Sequence, residues 1–181
     1  MKIAIIGYGK MGKMVEQIAL SAGHEITAIV DPVVSGTSIY KSIAEAKLDG
    51  TDAAIEFSQP SAAAVNLIAL AQEKIPTVTG TTAWHENMEQ VKEAVEKSGS
   101  SLLWANNFSI GVNLFYRIAW KAAELFNNFD EYDVGGFEAH HNKKLDSPSG
   151  TAKTLAEGAL SRIERKKKIV WETIDRKPNA D

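Results

Sequence analysis

Two adjacent histidines, two adjacent lysines and a Ser-Gly-Thr turn stand close together in the sequence between Glu138 and Thr151. The histidines and lysines supply proton donors and positive charge, and the turn opens a predicted helix whose first N–H groups favour anions. Such a set of groups suits a small anionic substrate that also has to receive a proton.

The two histidines are predicted to end a strand that runs from Asp133 to Ala139. Adjacent residues on a strand face opposite sides, so His140 and His141 are expected to do different jobs. A zinc site needs three or four ligands, and the other histidines, His24 and His85, lie far away without ligand spacing. No metal site is therefore predicted. A histidine that is merely hydrogen-bonded on a strand, beside surface lysines, is the alternative interpretation.

The residues from Ser147 to Thr151 resemble the start of a helix, which is predicted to extend to Ile163. Pro148 is expected in the first helical turn, where proline is tolerated. Gly150 allows the backbone to approach a ligand closely. The N–H groups at the helix start would then bind a carboxylate beside the cationic side chains.

A nucleotide-binding pattern precedes this region. A buried strand is predicted over Lys2 to Ile6, followed by a complete G-x-G-x-x-G from Gly7 to Gly12, a helix that Gly23 ends, and a second strand from Glu25 to Val30. Asp31 follows that strand. This order is the dinucleotide-binding fingerprint, in which glycines admit a pyrophosphate and the acid accepts hydrogen bonds from a ribose. A strand, turn and helix without a ligand is the alternative.

The acid also bears on which cofactor binds. A carboxylate at Asp31 repels a 2′-phosphate, and Pro32 to Ser35 contain no arginine or lysine. The sequence therefore favours NADH over NADPH, although Lys10 within the glycine loop has the reach to contact a phosphate.

Three further predicted strands each end in a small or polar loop. Ligands of open α/β sheets bind beyond the carboxyl ends of the strands, so these loops are expected to share one crevice. The strands are Ala53 to Phe57, Pro76 to Thr79 and Ser101 to Trp104; the loops begin at Ser58, Gly80 and Ala105. The predicted helices are 62–73, capped by Ser61, 86–97 and 111–126, with a weaker helical patch at 42–48.

The predicted fold is α/β: a Rossmann-type doubly wound parallel sheet, followed by a smaller α+β domain with a mixed open sheet. The expected domains are a dinucleotide-binding domain over 1–109 and a substrate-binding and oligomerisation domain over 110–181. A length of 181 residues with 44% hydrophobic content accommodates both.

Composition excludes other classes of protein. The net charge of -3 argues against nucleic acid as a partner, and the basic run 165–168 is interpreted as a solvated helix end. No apolar run reaches about 18 residues, so no membrane span is predicted. The chain contains no cysteine and opens directly on a strand rather than a leader peptide, so a cytoplasmic location is expected.

The segment E-A-H-H-N-K-K-L-D-S-P-S-G-T-A resembles the signature of the 4-hydroxy-tetrahydrodipicolinate reductase (dihydrodipicolinate reductase) family of lysine and diaminopimelate biosynthesis. Gly7 to Gly12, Phe57-Ser58, Gly80 to Thr82 and Ala105 to Asn113 resemble the nucleotide-site segments of that family, in the same order. The resemblance covers essentially the whole chain.

The resemblance implies a two-domain reductase, commonly a homotetramer, in which NADH or NADPH delivers hydride to a cyclic dicarboxylate that loses its 4-hydroxyl as water. It implies that His140 is the proton donor and Lys144 a second donor or charge stabiliser. The implied substrate contacts are His141, Ser149, Gly150 and Thr151. The cofactor-binding residues, from the fingerprint and the resemblance together, are Gly7, Tyr8, Gly9, Lys10, Met11, Gly12, Asp31, Ser58, Gly80, Thr81, Thr82, Ala105, Asn106, Asn107 and Phe108.

One departure separates the chain from the family pattern. The family continues for several tens of residues, with further strands, an Arg-Gly-Gly-type substrate loop and a last helix, whereas this sequence stops at Asp181. A truncated chain and a shortened homologue are both compatible with this end, and turnover and tetramer assembly depend on which is correct. Two other functions stay open: another two-domain NAD(P)-dependent oxidoreductase, and a nucleotide-binding module without turnover.

Overall fold

The computed structural model describes residues 1–140, 142 and 147–171. The chain forms two compact units, Met1–Asn106 and Asn107–Asp181. Each unit is built around its own set of elements.

The first unit is a six-stranded sheet in which every pair of neighbouring strands is parallel. Its strands are β1 (Lys2–Ile6), β2 (Glu25–Val30), β3 (Ile39–Tyr40), β4 (Ala53–Glu56), β5 (Thr77–Thr79) and β6 (Leu102–Trp104). The spatial order is β3-β2-β1-β4-β5-β6. This order reverses direction between β1 and β4, which is the switch point where dinucleotides bind in doubly wound folds. The predicted Rossmann-type fold is confirmed.

Helices cover both faces of this sheet, which explains why β1 is apolar at almost every position. Ile3 and Ile5 pack into one buried cluster with Ala19 of helix α1 (Lys10–Ser21). Ala4 and Ile6, on the opposite face, pack into a second cluster with Leu70 of helix α2 (Pro60–Gln72). A strand buried on both faces needs no polar alternation.

Some local predictions in this unit are wrong. Helix α2 begins at Pro60 with Gln59 as its N-cap, so Ser61 lies inside the first turn and caps nothing. Proline fits this position because its missing N–H has no helical partner there. Residues 42–48 form turns, and the short strand β3 before them was not predicted. Helix α3 (Met88–Ser98) follows a 3-10 turn over His85–Asn87.

The described part of the second unit consists of helix α4 (Ile110–Phe126), helix α5 (Gly150–Leu160) and irregular segments. The indole N–H of Trp120 donates to the carbonyl of Leu155 at 3.1 Å. A Cβ at Gly158 would lie 2.2 Å from the same indole ring, so only glycine allows the two helices to approach this closely. No helix in the described ranges of either unit is long and apolar enough to cross a membrane.

The strand predicted over Asp133 to Ala139 does not form, and the described residues of this unit contain no strand. The segment is irregular and mostly exposed, with Phe137 94% exposed. Gly135 and Gly136 interrupt it, and glycine weakens a strand interior. Helix α5 begins at Gly150 and ends at Leu160, so Pro148 precedes the helix rather than entering its first turn.

Candidate functional site

The glycine loop after β1 is held by contacts that only glycine permits. Gly7 has φ +88°, and a Cβ there would lie 2.2 Å from the carbonyl oxygen of Phe57. A Cβ at Gly12 would lie 2.1 Å from the carbonyl oxygen of Gly7. These two glycines therefore close the loop against β4 and against the first turn of α1.

Gly9 has a different environment, because a Cβ at this position would meet nothing within 4 Å. Gly9 is the N-cap of α1; no side chain caps the helix, and its first turn carries no acidic residue. The neighbouring Lys10 and Met11 are exposed. The first N–H groups of the helix and its positive dipole end are thus left for an anion, and the space beside Gly9 lets a phosphate approach the backbone. The loop fits a dinucleotide pyrophosphate.

Asp31 fixes this loop to the end of β2. One carboxylate oxygen accepts the N–H of Tyr8 at 2.8 Å, and the other accepts those of Val33 and Val34 at 2.8 and 2.9 Å. Burial opposes ionisation, but the three N–H groups and the Lys41 ammonium hold the pKa of Asp31 below its usual 3.8. A carboxylate offers about four acceptor positions, so room for one ribose hydroxyl is left.

Lys41 is a charged neighbour of this site that the sequence analysis missed. Its ammonium donates to the carbonyl of Val34 at 2.9 Å and to the hydroxyl of Ser35 at 3.0 Å. The pairing of β3 with β2 brings Lys41 back to this loop, since Tyr40 is the register partner of Val30. Only the unpredicted strand β3 could have revealed it.

The loops after β4 and β5 are joined side by side. The Ser58 N–H donates to Glu56 Oε1 at 3.0 Å and also lies 3.0 Å from Thr81 Oγ1. A Cβ at Gly80 would lie 2.1 Å from the ring of Phe57. The structure therefore brings the predicted residues Ser58, Gly80 and Thr81 together.

The loop after β6 joins the same edge of the first unit, because the Ala105 N–H donates to the carbonyl of Thr79 at 3.4 Å. Thr82 and Asn106 are exposed at this edge. Asn107 and Phe108 belong to the second unit. There Asn107 Oδ1 accepts the N–H of Ser109 at 2.8 Å, ahead of α4.

In the second unit, a carboxylate already occupies the start of α5. Glu138 Oε1 accepts the N–H of Ser149 at 2.9 Å, and Glu138 Oε2 accepts the Ser149 hydroxyl. The same Oε2 lies 2.9 Å from His140 Nε2. Ser149 is the N-cap of α5, and its hydroxyl oxygen accepts the N–H of Ala152 at 3.0 Å. The helix start thus binds a carboxylate with His140 beside it.

These contacts favour the ionised form of Glu138. The Ser149 hydroxyl, His140 and the Ser149 N–H lower the pKa of Glu138 from 4.5 to about 2. Because the folded pKa lies below the unfolded one, the contact stabilises the fold above pH 4.5 and is lost as the pH falls through about 2.

We expect the Ser149 amide resonance to titrate with that low midpoint in an NMR experiment. Ser149→Ala should move the midpoint up towards 4.5, and a wild-type midpoint already near 4.5 would contradict the assignment.

Two predicted site residues, His141 and Lys144, lie outside the described residues. Thr151 and Gly150 are exposed at the start of α5. The carbonyl of Thr151 accepts the hydroxyl of Tyr116 at 3.4 Å. Across the described ranges, no three histidine, aspartate or glutamate side chains are grouped as metal ligands would be.

Comparison with known proteins identifies the family. The family model described as dihydrodipicolinate reductase, N-terminus, matches residues 1–108. The model described as dihydrodipicolinate reductase, C-terminus, matches residues 111–178. The chain belongs to the dihydrodipicolinate reductase family.

Curated relatives of this reductase family agree. The chain is 36% identical to the 4-hydroxy-tetrahydrodipicolinate reductase of Christiangramia forsetii over 167 residues. This match covers 92% of the chain and 67% of the relative. The chain is 34% identical over 164 residues to the enzyme of the same name from Staphylococcus aureus, covering 89% and 65%. The chain therefore spans about two thirds of the length of these relatives.

A solved structure of the family shares the fold. The dipicolinate-bound dihydrodipicolinate reductase from Paenisporosarcina sp. TG-14 matches with a TM-score of 0.75 at 24% identity, over 98% of this chain and 71% of the other. The predicted family resemblance is thus confirmed by sequence, and the fold by structure.

In addition to Lys41, two acidic residues of the chain were not among the predicted site residues. Glu56 lies in the predicted strand Ala53 to Phe57 but was given no role, although it is the one charged residue of Ala53–Glu56. Glu138 opens the signature segment but was given no role. A charge within an apolar strand, and an acid two residues before a histidine, are the signals that point to them.

Proposed function

We propose that this chain reduces 4-hydroxy-tetrahydrodipicolinate to tetrahydrodipicolinate with loss of water. In this proposal residues 1–109 bind the nicotinamide cofactor, and residues 110–181 bind the dicarboxylate substrate. The cofactor, NADH or NADPH, supplies the hydride. The residues of the chain hold both molecules, and His140 gives the proton.

The observation that supports the proposal is the position of the Glu138 carboxylate at the start of α5. This carboxylate accepts both the N–H and the hydroxyl of Ser149, and its Oε2 lies 2.9 Å from His140 Nε2. A substrate carboxylate that replaced Glu138 would bring the attached ring beside a histidine able to donate a proton. Lys144 as the second donor or charge stabiliser, and His141 as a substrate contact, are proposed on family resemblance.

Dipicolinate, the planar dicarboxylate bound in the Paenisporosarcina structure, tests this site directly. We expect dipicolinate to bind the 181-residue chain and to shift the NMR resonances of Ser149 and His140. Because the ligand must displace Glu138, Glu138→Gln should bind dipicolinate more tightly. Ser149→Ala should bind it more weakly. Shifts confined to residues outside 138–151 would contradict the proposed site.

For the cofactor we propose NADH as the favoured partner. The low pKa of Asp31 keeps a negative charge where a 2′-phosphate of NADPH would lie. Lys41, bound to the same loop, offsets part of this repulsion and moderates the preference.

Asp31→Ala is therefore expected to weaken NADH relative to NADPH by roughly tenfold, a change of about 1.4 kcal/mol in relative binding. Both affinities will also fall together, because the Tyr8 N–H loses its acceptor. The ratio of the two dissociation constants, measured by titration of reduced-cofactor fluorescence, is the informative quantity. Lys41→Met is the matched control and should shift the ratio the opposite way. An unchanged ratio in Asp31→Ala would remove this residue from the ribose site.

We further propose that the active form is a homotetramer, as the family resemblance implies, and that it is cytoplasmic and has no nucleic-acid partner, as the composition and the net charge of -3 indicate. Light scattering at several concentrations tests the assembly. A chain that stays monomeric throughout would contradict the tetramer without affecting the proposed cofactor site.

A further inference from the structure

Glu56 is a buried acid at the switch point of the sheet. Its side chain is 0% exposed, at the carboxyl end of β4. Moving a carboxylate out of water is costly unless its oxygens are hydrogen-bonded or paired with a cation. No ion pair in the described part of the chain involves Glu56. Hydrogen bonds alone satisfy it there.

Those bonds reach the loop after β4 and the last residue of β5. Glu56 Oε1 accepts both the N–H and the hydroxyl of Ser58, which begins the loop after β4. Oε2 accepts the hydroxyl of Thr79, the register partner of Glu56 on β5. The backbone carbonyl of Glu56 accepts the N–H of Gly80 at 3.1 Å.

The network continues from these partners. The Thr81 N–H donates to Thr79 Oγ1 at 3.3 Å, and the Asn66 side chain of α2 donates to Ser58 Oγ at 3.2 Å. Glu56 is therefore the acceptor on which the loops after β4 and β5 converge. A buried ionisable group is weak evidence for a stabilising role, because well-packed apolar residues of similar size often stabilise a fold as much. We therefore look for the role of Glu56 in the geometry that its hydrogen bonds impose on the two loops.

We propose that Glu56 is a positioning residue for the nicotinamide half of the cofactor. It holds Ser58 and the Gly80–Thr82 loop in the arrangement that the nicotinamide ring contacts, without touching the cofactor itself. This inference rests on the proposed function: with the pyrophosphate at the glycine loop and a ribose at Asp31, both in the β1–β2 half of the sheet, the loops after β4 and β5 lie on the nicotinamide side of the switch point. The glycine loop and Asp31, which hold the rest of the dinucleotide, make no hydrogen bond to Glu56 in the described residues.

The test compares NADH with ADP-ribose, which lacks the nicotinamide. Glu56→Gln keeps the size of the side chain but replaces one carboxylate oxygen, a hydrogen-bond acceptor, by an NH₂ donor. That NH₂ group would face either the donors of Ser58 or the hydroxyl of Thr79, so the hydrogen bonds at one end of the network are lost. We expect NADH to bind roughly tenfold more weakly to Glu56→Gln by calorimetry. ADP-ribose should bind within about twofold of wild type, because its contacts lie at the glycine loop. The fluorescence of bound NADH should also change.

Two further variants guard against simple misfolding. Thr79→Val removes the donor to Oε2 and should reproduce the selective loss of NADH affinity. Thr77→Val is the control: it lies two residues earlier on the same strand, and its hydroxyl donates to the carbonyl of Ile75 instead. It should leave both affinities unchanged. Glu56→Asp, which retains the carboxylate, should recover part of the NADH affinity.

An equal loss of both ligands in Glu56→Gln and Thr79→Val, or no loss of either, would overturn the positioning role. Wild-type protein that binds neither ligand would overturn the proposed function and this inference together. Wild-type protein that binds both ligands but leaves the substrate unreduced would overturn the reductase proposal alone, because the positioning role is measured by binding.

Discussion

Replacement of His140 by glutamine is expected to lower kcat by roughly 100-fold or more, the usual contribution of a positioned proton donor. The KM for NADH should stay within about twofold, because the cofactor-binding residues of Met1–Asn106 are unchanged. Glutamine can still donate a hydrogen bond to Glu138, so the start of α5 should remain formed. Steady-state kinetics with varied NADH separates the two parameters.

His24→Gln is the matched control for this variant. His24 is a partly exposed histidine of the first unit whose ring nitrogen lies 3.4 Å from the N-terminal amine. Its replacement should leave kcat unchanged. If His140→Gln instead weakened NADH binding and kept a normal kcat, the residue would not be the proton donor.

Gly9→Ala is expected to lose NADH affinity with little loss of stability, whereas Gly12→Ala is expected to lose stability. Alanine at Gly9 meets no protein atom within 4 Å, so the free energy of unfolding should fall by about 1 kcal/mol or less. The added methyl group occupies the space through which a phosphate reaches the helix start. The dissociation constant for NADH should therefore rise by roughly tenfold or more.

Alanine at Gly12 places its Cβ 2.1 Å from the backbone oxygen of Gly7, so the backbone of the loop has to shift to accept it. The free energy of unfolding should fall by about 1–3 kcal/mol, as for other overpacked sites. Chemical denaturation and NADH titration of both variants check the pair. A Gly9→Ala protein with normal NADH affinity would show that the helix start does not bind the pyrophosphate.

The parts of this molecule that could be predicted from sequence depend on contacts between near neighbours in the chain. The glycine loop is such a case, because Gly7 and Gly12 lie only five residues apart in the sequence, at the junction of β1 and the helix that follows. Asp31 was predictable for the same reason, since its distance from the loop is set by one helix and one strand. The parallel sheet then follows from the repeated order of strand and helix.

Features that depend on pairing between distant segments were missed. Glu56 is buried because β5 places Thr79 opposite it, and Lys41 reaches the β2 loop only through the register of β3. The predicted strand at 133–139 failed for a related reason, since a pattern along one segment does not supply the partner strand that a ladder needs. The role of Glu138 became visible only from its contacts with Ser149 and His140.

The most direct test of the proposed reductase is a coupled assay on the 181-residue chain. Dihydrodipicolinate synthase, pyruvate and aspartate semialdehyde would generate the substrate in place, and the loss of NADH absorbance would report its reduction. We predict NADH oxidation that requires the synthase and is lost in His140→Gln. NADH binding without synthase-dependent oxidation would contradict the reductase and leave the chain as a nucleotide-binding module.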